Sequence, residues 1–364
     1  MSSYIVDSRV TNETSSLAKE GYDVTVLCLN SKGLKCKEFY GDVEIKRTGI
    51  CTKGKIFSYI SAYVQMLWII LKSDFKLIHA HEITSLPVAI IASLLKRKKV
   101  IYDSHELWSE SHHKTSNKFI ISTISYIERM LCKNITIITV SESICEYLKA
   151  HFNNKDVHVV RNIPSYKHTG KYNLIREMFE ISERDKVFIY QGLLSEARGV
   201  DLILDAAINV SKDIESGLAF VFFGFGEYAK EIEQKSKLYS NIYYGGNIPQ
   251  KNLLKYTSSA DIGLHGIKNT CLNHDYCLPN KVFEYALSGI PIIVPNLTEL
   301  SAFLDEYKVG LDYEQNNVES LESSIRHALK EHVYSDLIKN VKEFEKKVTW
   351  EKEFEIIKGL YEKI

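Results

Sequence analysis

At 364 residues the chain is long enough for two domains, each with its own core. Its 46 lysines and arginines balance its 46 aspartates and glutamates, which excludes a nucleic-acid binder that works by bulk charge. Seven cysteines, at 28, 36, 51, 132, 145, 271 and 277, form no CxxC pair and no metal-ligand spacing, so reduced thiols in the cytoplasm are expected.

The start, polar after Met1 and with an early Asp7, reads as no secretory signal. "VTNETSSLAKEG" is helical and leads into a strand, "YDVTVLCL" (22–29). "IFSYISAYVQMLWIILK" (56–72) is the most apolar helix; its Ser, Gln and Tyr and its length make it buried or membrane-facing rather than spanning. "FKLIHAHE" (75–82), "KVIYDSHE" (99–106) and "NITIITVSES" (134–143) are strands with polar carboxyl ends, and Ser141 is placed to cap the helix that follows. A strand-helix rhythm of this kind predicts a parallel sheet with helices on both faces. Ligands bind beyond the carboxyl ends of such strands, so His79, His81, Glu82, Asp103, His105 and Glu106 lie where chemistry is expected. Asp103 also has a plain reading as a turn or cap residue.

"SYKHTGKYN" after "VHVVRNIP" (157–164) reads as a linker, and the rhythm then restarts. "KVFIYQG" (186–192), "LAFVFFGFG" (218–226), "NIYYGG" (241–246), "ADIGLHG" (260–266) and "IPIIVPN" (290–296) are its strands. The tail 348–364 reads as one amphipathic helix. The division expected is an amino-terminal domain over 1–165, a second domain over 166–347, and the tail packing back on the first. Two tandem Rossmann-like domains imply a cleft with strand ends facing each other. Residues 1–161 hold 22 basic and 16 acidic residues, a net of +6, whereas 162–364 hold 24 and 30, a net of −6.

Three motifs carry candidate chemistry. "GFGEYA" (224–229) fits a loose dinucleotide pattern, but no acid ends the next strand, and a tight strand-to-helix turn is the simpler reading. In "GLLSEARG" (192–199), Gly192 allows the chain to turn close to a ligand and Arg198 can offer a fork of donors to a phosphate, or simply sit exposed on a loop. "CLPNKVFEYALSGIPIIVPN" (277–296) reads as a helix with Pro279 at its first position and Gly289 at its stop. Asn280, Lys281 and Glu284 share one arc; Val282, Phe283, Ala286 and Leu287 face the core. First-turn amides with Lys281 suit an anion, and Glu284 suits vicinal hydroxyls, so the stretch is expected to grip a nucleoside diphosphate. The plain alternative is a solvated Lys–Glu pair.

As a set, "DSRVTNETSSLAKEGYDVTVL", "LIHAHEITSLPVAIIA", "VIYDSHELWSE", "YQGLLSEARGVDLILDA", "FFGFGE", "CLPNKVFEYALSGIPIIV" and the terminal "TWEKEF" resemble a retaining GT-B glycosyltransferase of the family 4 type, over nearly the whole chain. The resemblance implies an α/β GT-B fold with parallel sheets facing across a cleft. It makes Glu284 the ribose-binding second glutamate of an E-x7-E motif, puts Arg198 at the diphosphate, and puts His105 in the donor-sugar pocket. Gly192, Gly224 and Phe225 complete the donor nucleotide site. The chain departs from the pattern at Tyr276, which replaces the first glutamate, with Asn280 and Lys281 expected to share its work. It also has Leu193 where a basic residue is usual. The family's first strand and glycine-rich loop have no counterpart, since "DSRV" begins seven residues from Met1. The amino-terminal sheet is therefore expected to lack a strand, or the chain to start late.

The resemblance implies sugar transfer from a UDP- or GDP-sugar donor to the hydroxyl of a glycan or lipid-linked acceptor of polysaccharide assembly, with retention of configuration. Arg198 and Lys281 take the place of a metal, and no cofactor is expected. His105 is the expected donor contact, Glu106 and Asp103 are candidate bases, and His81 and Glu82 are expected at the acceptor. The basic amino-terminal half, with "KRKK" (96–99), fits peripheral contact with an anionic membrane from the cytoplasmic side. The alternatives are an epimerase or hydrolase using the same donor pocket, a non-catalytic nucleotide-sugar-binding subunit and, more distantly, an NAD-dependent dehydrogenase.

Overall fold

The computed structural model describes residues 7–31, 33–49, 55–111, 117–165, 170–213 and 217–363. The chain divides into two compact units, residues 1–164 with 350–364, and residues 165–349.

The first unit runs α1 (Ser8–Lys19), β1 (Thr25–Leu29), β2 (Lys37–Tyr40), β3 (Val43–Thr48), α2 (Lys55–Lys72), β4 (Leu77–His81), α3 (Leu86–Lys96) and β5 (Lys99–Ser104). It continues through α4 (Trp108–Ser111), α5 (Lys118–Cys132), β6 (Thr136–Thr139), α6 (Glu142–Phe152) and β7 (Val157–Val159). Asp7 caps α1, its side chain accepting from Val10 N, and Ser141 caps α6 by accepting from Ile144 N. The strands form two groups. β4-β5-β6-β7 is wholly parallel; β1-β3-β2 joins β1 and β3 in parallel and β3 to β2 as an antiparallel hairpin that sequence reading misses. Among the described residues no strand lies between β1 and β4.

The second unit runs α7 (Leu174–Phe179), β8 (Lys186–Leu193), a 3-10 turn (Glu196–Arg198), α8 (Val200–Asp213), β9 (Leu218–Phe225), α9 (Ala229–Ser236), β10 (Ile242–Gly246) and α10 (Gln250–Thr257). After these come β11 (Ile262–Leu264), α11 (Leu272–Tyr276), α12 (Asn280–Leu287), β12 (Ile292–Pro295), α13 (Thr298–Tyr307), β13 (Gly310–Tyr313), α14 (Val318–Ala328) and α15 (Glu331–Lys347). Its sheet is parallel throughout, in the order β10-β9-β8-β11-β12-β13. β9 is buried along "LAFVFFG", as a strand covered by helices on both faces must be. Strand order reverses between β8 and β11, which makes the carboxyl end of β8 the place where such a sheet receives a ligand.

α16 (Trp350–Glu362) belongs to the first unit. Trp350, Phe354, Ile357 and Leu360 pack with Leu17, Ile101, Ile138 and Val160. Glu353 binds Arg161 through both its backbone N–H, at 2.7 Å, and its guanidinium. The amphipathic tail is thus an integral wall of that core.

Candidate functional site

In the second unit, Gly192 and Leu193 at the end of β8 are in register with Gly224 and Phe225 at the end of β9. Gly192 has φ +125°, and a Cβ there would lie 2.7 Å from Cε of Lys281, so glycine lets the lysine lie over the strand end. Gly224 has φ +141°, and a Cβ would run into the Gly192 carbonyl. The glycines of "GFGEYA" therefore serve the close approach of two strands, and Phe225 stands exposed beside them.

α12 starts at Asn280, with Pro279 as an extended N-cap at φ −68° and ψ 146°. That is one position off the expected start: Pro279 lies before the first turn, and its carbonyl accepts from Val282 N at 3.1 Å. Gly289, at φ +81°, follows the stop. Val282, Phe283, Ala286 and Leu287 are buried as expected, joined by Tyr285. Asn280 is exposed, while Lys281 and Glu284 are half-buried against the end of β8.

Both residues are held by partners that sequence reading misses. Nζ of Lys281 lies 3.2 Å from the Tyr190 hydroxyl and 4.4 Å from the ring centroid, a cation–π contact. Glu284 Oε2 accepts from Gln191 Nε2 at 2.7 Å, and Gln191 Oε1 accepts from Thr257 Oγ1 at 2.6 Å. The signal was present in "IYQG": a glutamine fully buried at a strand end must find partners for its amide.

Arg198 ends the 3-10 turn, and among the described residues no carboxylate pairs with it. Burial and the neighbouring Arg198 charge push Lys281 down to about 7. Burial pushes Glu284 up. His265, buried beside both cations, is held neutral, well below the ordinary histidine value, first by burial and then by Lys281 and Arg198. Tyr276, half-buried, is the last residue of α11. Two cations thus converge on the end of β8 with one half-buried carboxylate beside them, an arrangement that favours an anion.

The first unit gathers a different cluster at the carboxyl ends of β4 and β5. Asp103 lies inside β5 and is fully buried, so neither a turn nor a cap describes it. Arg9 grips it with two bonds, Nε to Oδ2 at 2.7 Å and Nη2 to Oδ1 at 2.8 Å, and gives a third donor to the Val160 carbonyl. His81 Nδ1 and His105 Nε2 each lie 3.0 Å from Asp103 Oδ2. Burial opposes the Asp103 charge, but Arg9 and His105 overcome it and hold the carboxyl well below its usual range. Both oxygens of Asp103 are thus engaged, and its carboxylate holds the two histidines in place.

His105 Nδ1 faces Glu82 Oε1 at 3.1 Å while Nε2 faces Asp103. Against the opposing effect of burial, Asp103 raises His105 to about 10, so it is an imidazolium donor at neutral pH. Glu82 has φ +66°, which turns the chain sharply after His81. Glu106 is half-buried just beyond the strand. Glu13 and Arg9 are residues of this cluster that sequence reading misses, whereas His79 is among the strand tips it names. Glu13 lies 3.2 Å from Arg9 Nε, and 3.9 and 3.7 Å from the Nε2 atoms of His79 and His81. Among the described residues, Glu13, His79, His81 and Asp103 are the group whose donor atoms could surround a metal ion. Arg9 already supplies a cation there.

Residues 6–163 match the family described as Glycosyltransferase Family 4, and residues 172–347 match Glycosyl transferases group 1. An uncharacterized glycosyltransferase of Methanocaldococcus jannaschii is 24% identical over 365 residues, covering 98% of this chain and 94% of its own. Among solved structures, the sucrose-phosphate synthase of Thermosynechococcus elongatus is similar with a TM-score of 0.77 at 15% identity, over 97% of this chain and 92% of that one. Anabaena Alr3699/HepE, solved in complex with UDP-glucose, has a TM-score of 0.69 at 14% identity, over 89% and 87%.

Proposed function

Because the chain belongs to the family 4-like GT-B glycosyltransferases, we propose that it moves a sugar from a nucleoside diphosphate donor to a hydroxyl of a glycan or lipid-linked acceptor at a membrane, with retention of configuration and without a metal. The observation that carries the donor reading is the convergence of Arg198 and Lys281, with no acid ion-paired to either among the described residues, at the switch point of a parallel sheet. A similar fold solved with UDP-glucose supports it. The diphosphate lies against Arg198 and Lys281, with Gly192 and Gly224 keeping the floor low and Phe225 beside the base. The ribose diol donates to Glu284, and Tyr276 and Asn280 meet the sugar. The bond from the anomeric carbon to the diphosphate breaks, the acceptor oxygen bonds to that carbon on the same face, and the acceptor proton passes to the leaving phosphate. Arg198, Lys281 and the first-turn amides of α12 stabilise the charge that grows on the diphosphate. In the first unit, His81, Glu82 and Glu106 receive the acceptor.

Membrane contact is supported by the exposed faces of three neighbouring helices. On α2 these are Phe57, at 78% exposure, with Ile60, Val64 and Trp68; on α3 Ile91, Leu94 and Leu95; on α5 Phe119, at 79%, with Ile127 and Met130. Apolar surface of this extent marks an interaction face, and Lys96, Arg97, Lys98 and Lys99 border it at the end of α3. No helix of the described residues is long and apolar enough to cross a membrane. The test is release of nucleotide from UDP- and GDP-sugars in excess EDTA, with lipid-linked acceptors in vesicles. Acceptor-dependent release that survives chelation is expected, and vesicle binding should require anionic lipid and weaken with salt. Release that does not depend on acceptor would identify a hydrolase instead, and loss on chelation restored by magnesium would remove the metal-free mechanism.

A further inference from the structure

α1 and β4 aim three side chains of the first unit at one another. His79 and His81 stand two positions apart in β4, so both rings leave the same face of the strand. The rings stack, with centroids 4.4 Å apart and planes 16° from parallel. Glu13, one turn beyond Arg9 in α1, meets them from the helix. Its Oε2 lies 3.9 Å from Nε2 of His79 and 3.7 Å from Nε2 of His81. These gaps are too long for hydrogen bonds, and both oxygens of Glu13 and Nε2 of His79 are buried without a hydrogen-bond partner. Buried polar atoms are nearly always paired, so orphans gathered at one point need a partner of another kind.

The far side of each ring is already taken. Nδ1 of His81 is 3.0 Å from Oδ2 of Asp103, and Nδ1 of His79 is 2.9 Å from the Tyr361 hydroxyl. A histidine that ligates a metal through Nε2 is held in this way, with Nδ1 hydrogen-bonded to a carboxylate or another fixed group. In a neutral ring, the Nδ1–H that donates to Asp103 leaves Nε2 of His81 as a lone pair, and that lone pair faces a carboxylate oxygen. Two acceptors turned to each other repel unless a cation lies between them. The local charges leave room for one. Arg9 serves both Asp103 and Glu13, but its contact with Glu13 is to Oε1, at 3.2 Å, and not to the Oε2 that faces the histidines. His105 lies between Asp103 and Glu82. Two cations thus stand among three carboxylates.

We propose that Glu13, His79 and His81 hold a divalent transition-metal ion of the zinc type, and that Asp103 and Tyr361 orient the two histidines behind it. Two imidazoles and one carboxylate are a donor set that suits such an ion, which then keeps a fourth position for water. Ligand atoms about 2.0–2.2 Å from a tetrahedral zinc lie roughly 3.3–3.6 Å from one another, so the observed 3.7 and 3.9 Å need to close by only a few tenths of an ångström. Asp103 is near enough to be a ligand too, since donor atoms of all four residues lie within 4.8 Å of one another. Its oxygens are committed to Arg9 and the histidines, which places it behind the ligands. His81, with 19% of its side chain exposed, marks the way in. The ion would fasten α1 to β4, and Tyr361 would join α16 to the same point. It belongs to the first unit, whereas the metal-free reading of sugar transfer concerns Arg198 and Lys281 in the second.

Metal content and spectra of the full, untagged chain test this. Neither depends on turnover, so failure here leaves the transfer reading standing. The chain is stripped with a chelator, dialysed against Zn²⁺ or Co²⁺ and desalted. One zinc per chain is expected. Cobalt should give visible d–d absorption that zinc abolishes, without the near-ultraviolet thiolate band that binding by cysteines would give. Glu13→Gln and His79→Gln should lose both the zinc and the cobalt spectrum. Tyr361→Phe, which removes only the hydroxyl behind His79, should weaken zinc binding by about 10- to 100-fold. Zinc should raise the Tm of the stripped parent and not that of Glu13→Gln, with far-ultraviolet circular dichroism showing that the variants are folded. A stripped parent chain that stays folded and takes up neither metal would overturn the proposal. So would uptake that is equal in the parent, Glu13→Gln and His79→Gln, or a cobalt spectrum carrying the thiolate band. Parent-like zinc affinity in Tyr361→Phe would overturn the orienting role given to Tyr361.

Discussion

The two site-bearing regions treat charge in opposite ways. In the first unit the cations come with acids: Arg9 is gripped by Asp103 and Glu13, and His105 lies between Asp103 and Glu82. In the second unit Arg198 has no acidic partner among the described residues, and Lys281 rests on a tyrosine ring while the nearby Glu284 is tied to Gln191. A buried cation already matched by carboxylates holds structure and orients neighbours. A cation kept near neutrality by burial and a like charge becomes fully favourable only when an anion arrives. The difference teaches that unmatched charge, rather than charge itself, marks where a phosphate is expected.

The largest effect that bears on this contrast should come from Arg9→Met. It leaves Asp103 and Glu13 buried without their cation, and breaking a buried pair in this way costs about 3–5 kcal/mol. Urea unfolding followed by circular dichroism should show the loss in the first unit. Calorimetric UDP affinity, measured below the unfolding transition, should stay within about twofold of the parent, since Arg9 lies in the other unit. A stability change below about 1 kcal/mol would mean that the Arg9–Asp103 pair does not hold the site together.

Smaller, but more specific, are the effects on α12. Glu284→Ala removes charge-assisted bonds to the ribose diol worth about 1.5–3 kcal/mol, or roughly 10- to 150-fold in nucleotide affinity. UDP and its sugars should suffer alike, because both carry ribose. Lys281→Met should lower kcat more than ground-state binding, since its charge matters most as the diphosphate departs. Parent-like nucleotide binding by a folded Glu284→Ala protein would refute the ribose assignment.

How far the sequence alone leads can be judged on these same residues. The apolar arc of α12 was legible because helical periodicity is local, and so were the strand ends carrying His81, Asp103 and His105. The hairpin of β2 and β3 was not, because "KEFY" and "VEIKRT" are short and half polar, and their pairing is with each other and β1 rather than with any local signal. The alternative of Asp103 as a turn or cap residue stayed open because its partner, Arg9, lies 94 positions away. Gln191 and Tyr190 read only as strand, since their work depends on a helix that returns about ninety residues later. Pairings made by tertiary contact, not by spacing, are what the sequence withholds.

The finest test of the contrast is a proton count. Lys281 sits at about 7 in the free protein, with burial and Arg198 both disfavouring its charge. A bound diphosphate favours that charge, so binding raises the lysine's pKa and takes up a proton wherever the free lysine is deprotonated. The sign follows: below pH 7 the lysine is already charged and affinity is flat, whereas above pH 7 affinity falls with rising pH, by at most about tenfold per unit, equivalent to ~1.4 kcal/mol. An intact nucleotide sugar is the right probe, because its diphosphate has no terminal phosphate whose second ionisation, near pH 6, would add a slope of its own. Glu284 is also shifted, upward, and Glu284→Gln removes its contribution while keeping an acceptor oxygen. Calorimetry at pH 8 in two buffers of different ionisation enthalpy reads the proton directly: different heats for the parent and for Glu284→Gln, and equal heats for Lys281→Met. The paired cations of the first unit should contribute nothing, because His105 is already held charged by Asp103 at this pH. Equal heats in both buffers for the parent protein would show that Lys281 meets the donor already charged, and the distinction between matched and unmatched cations would then fail at its central residue.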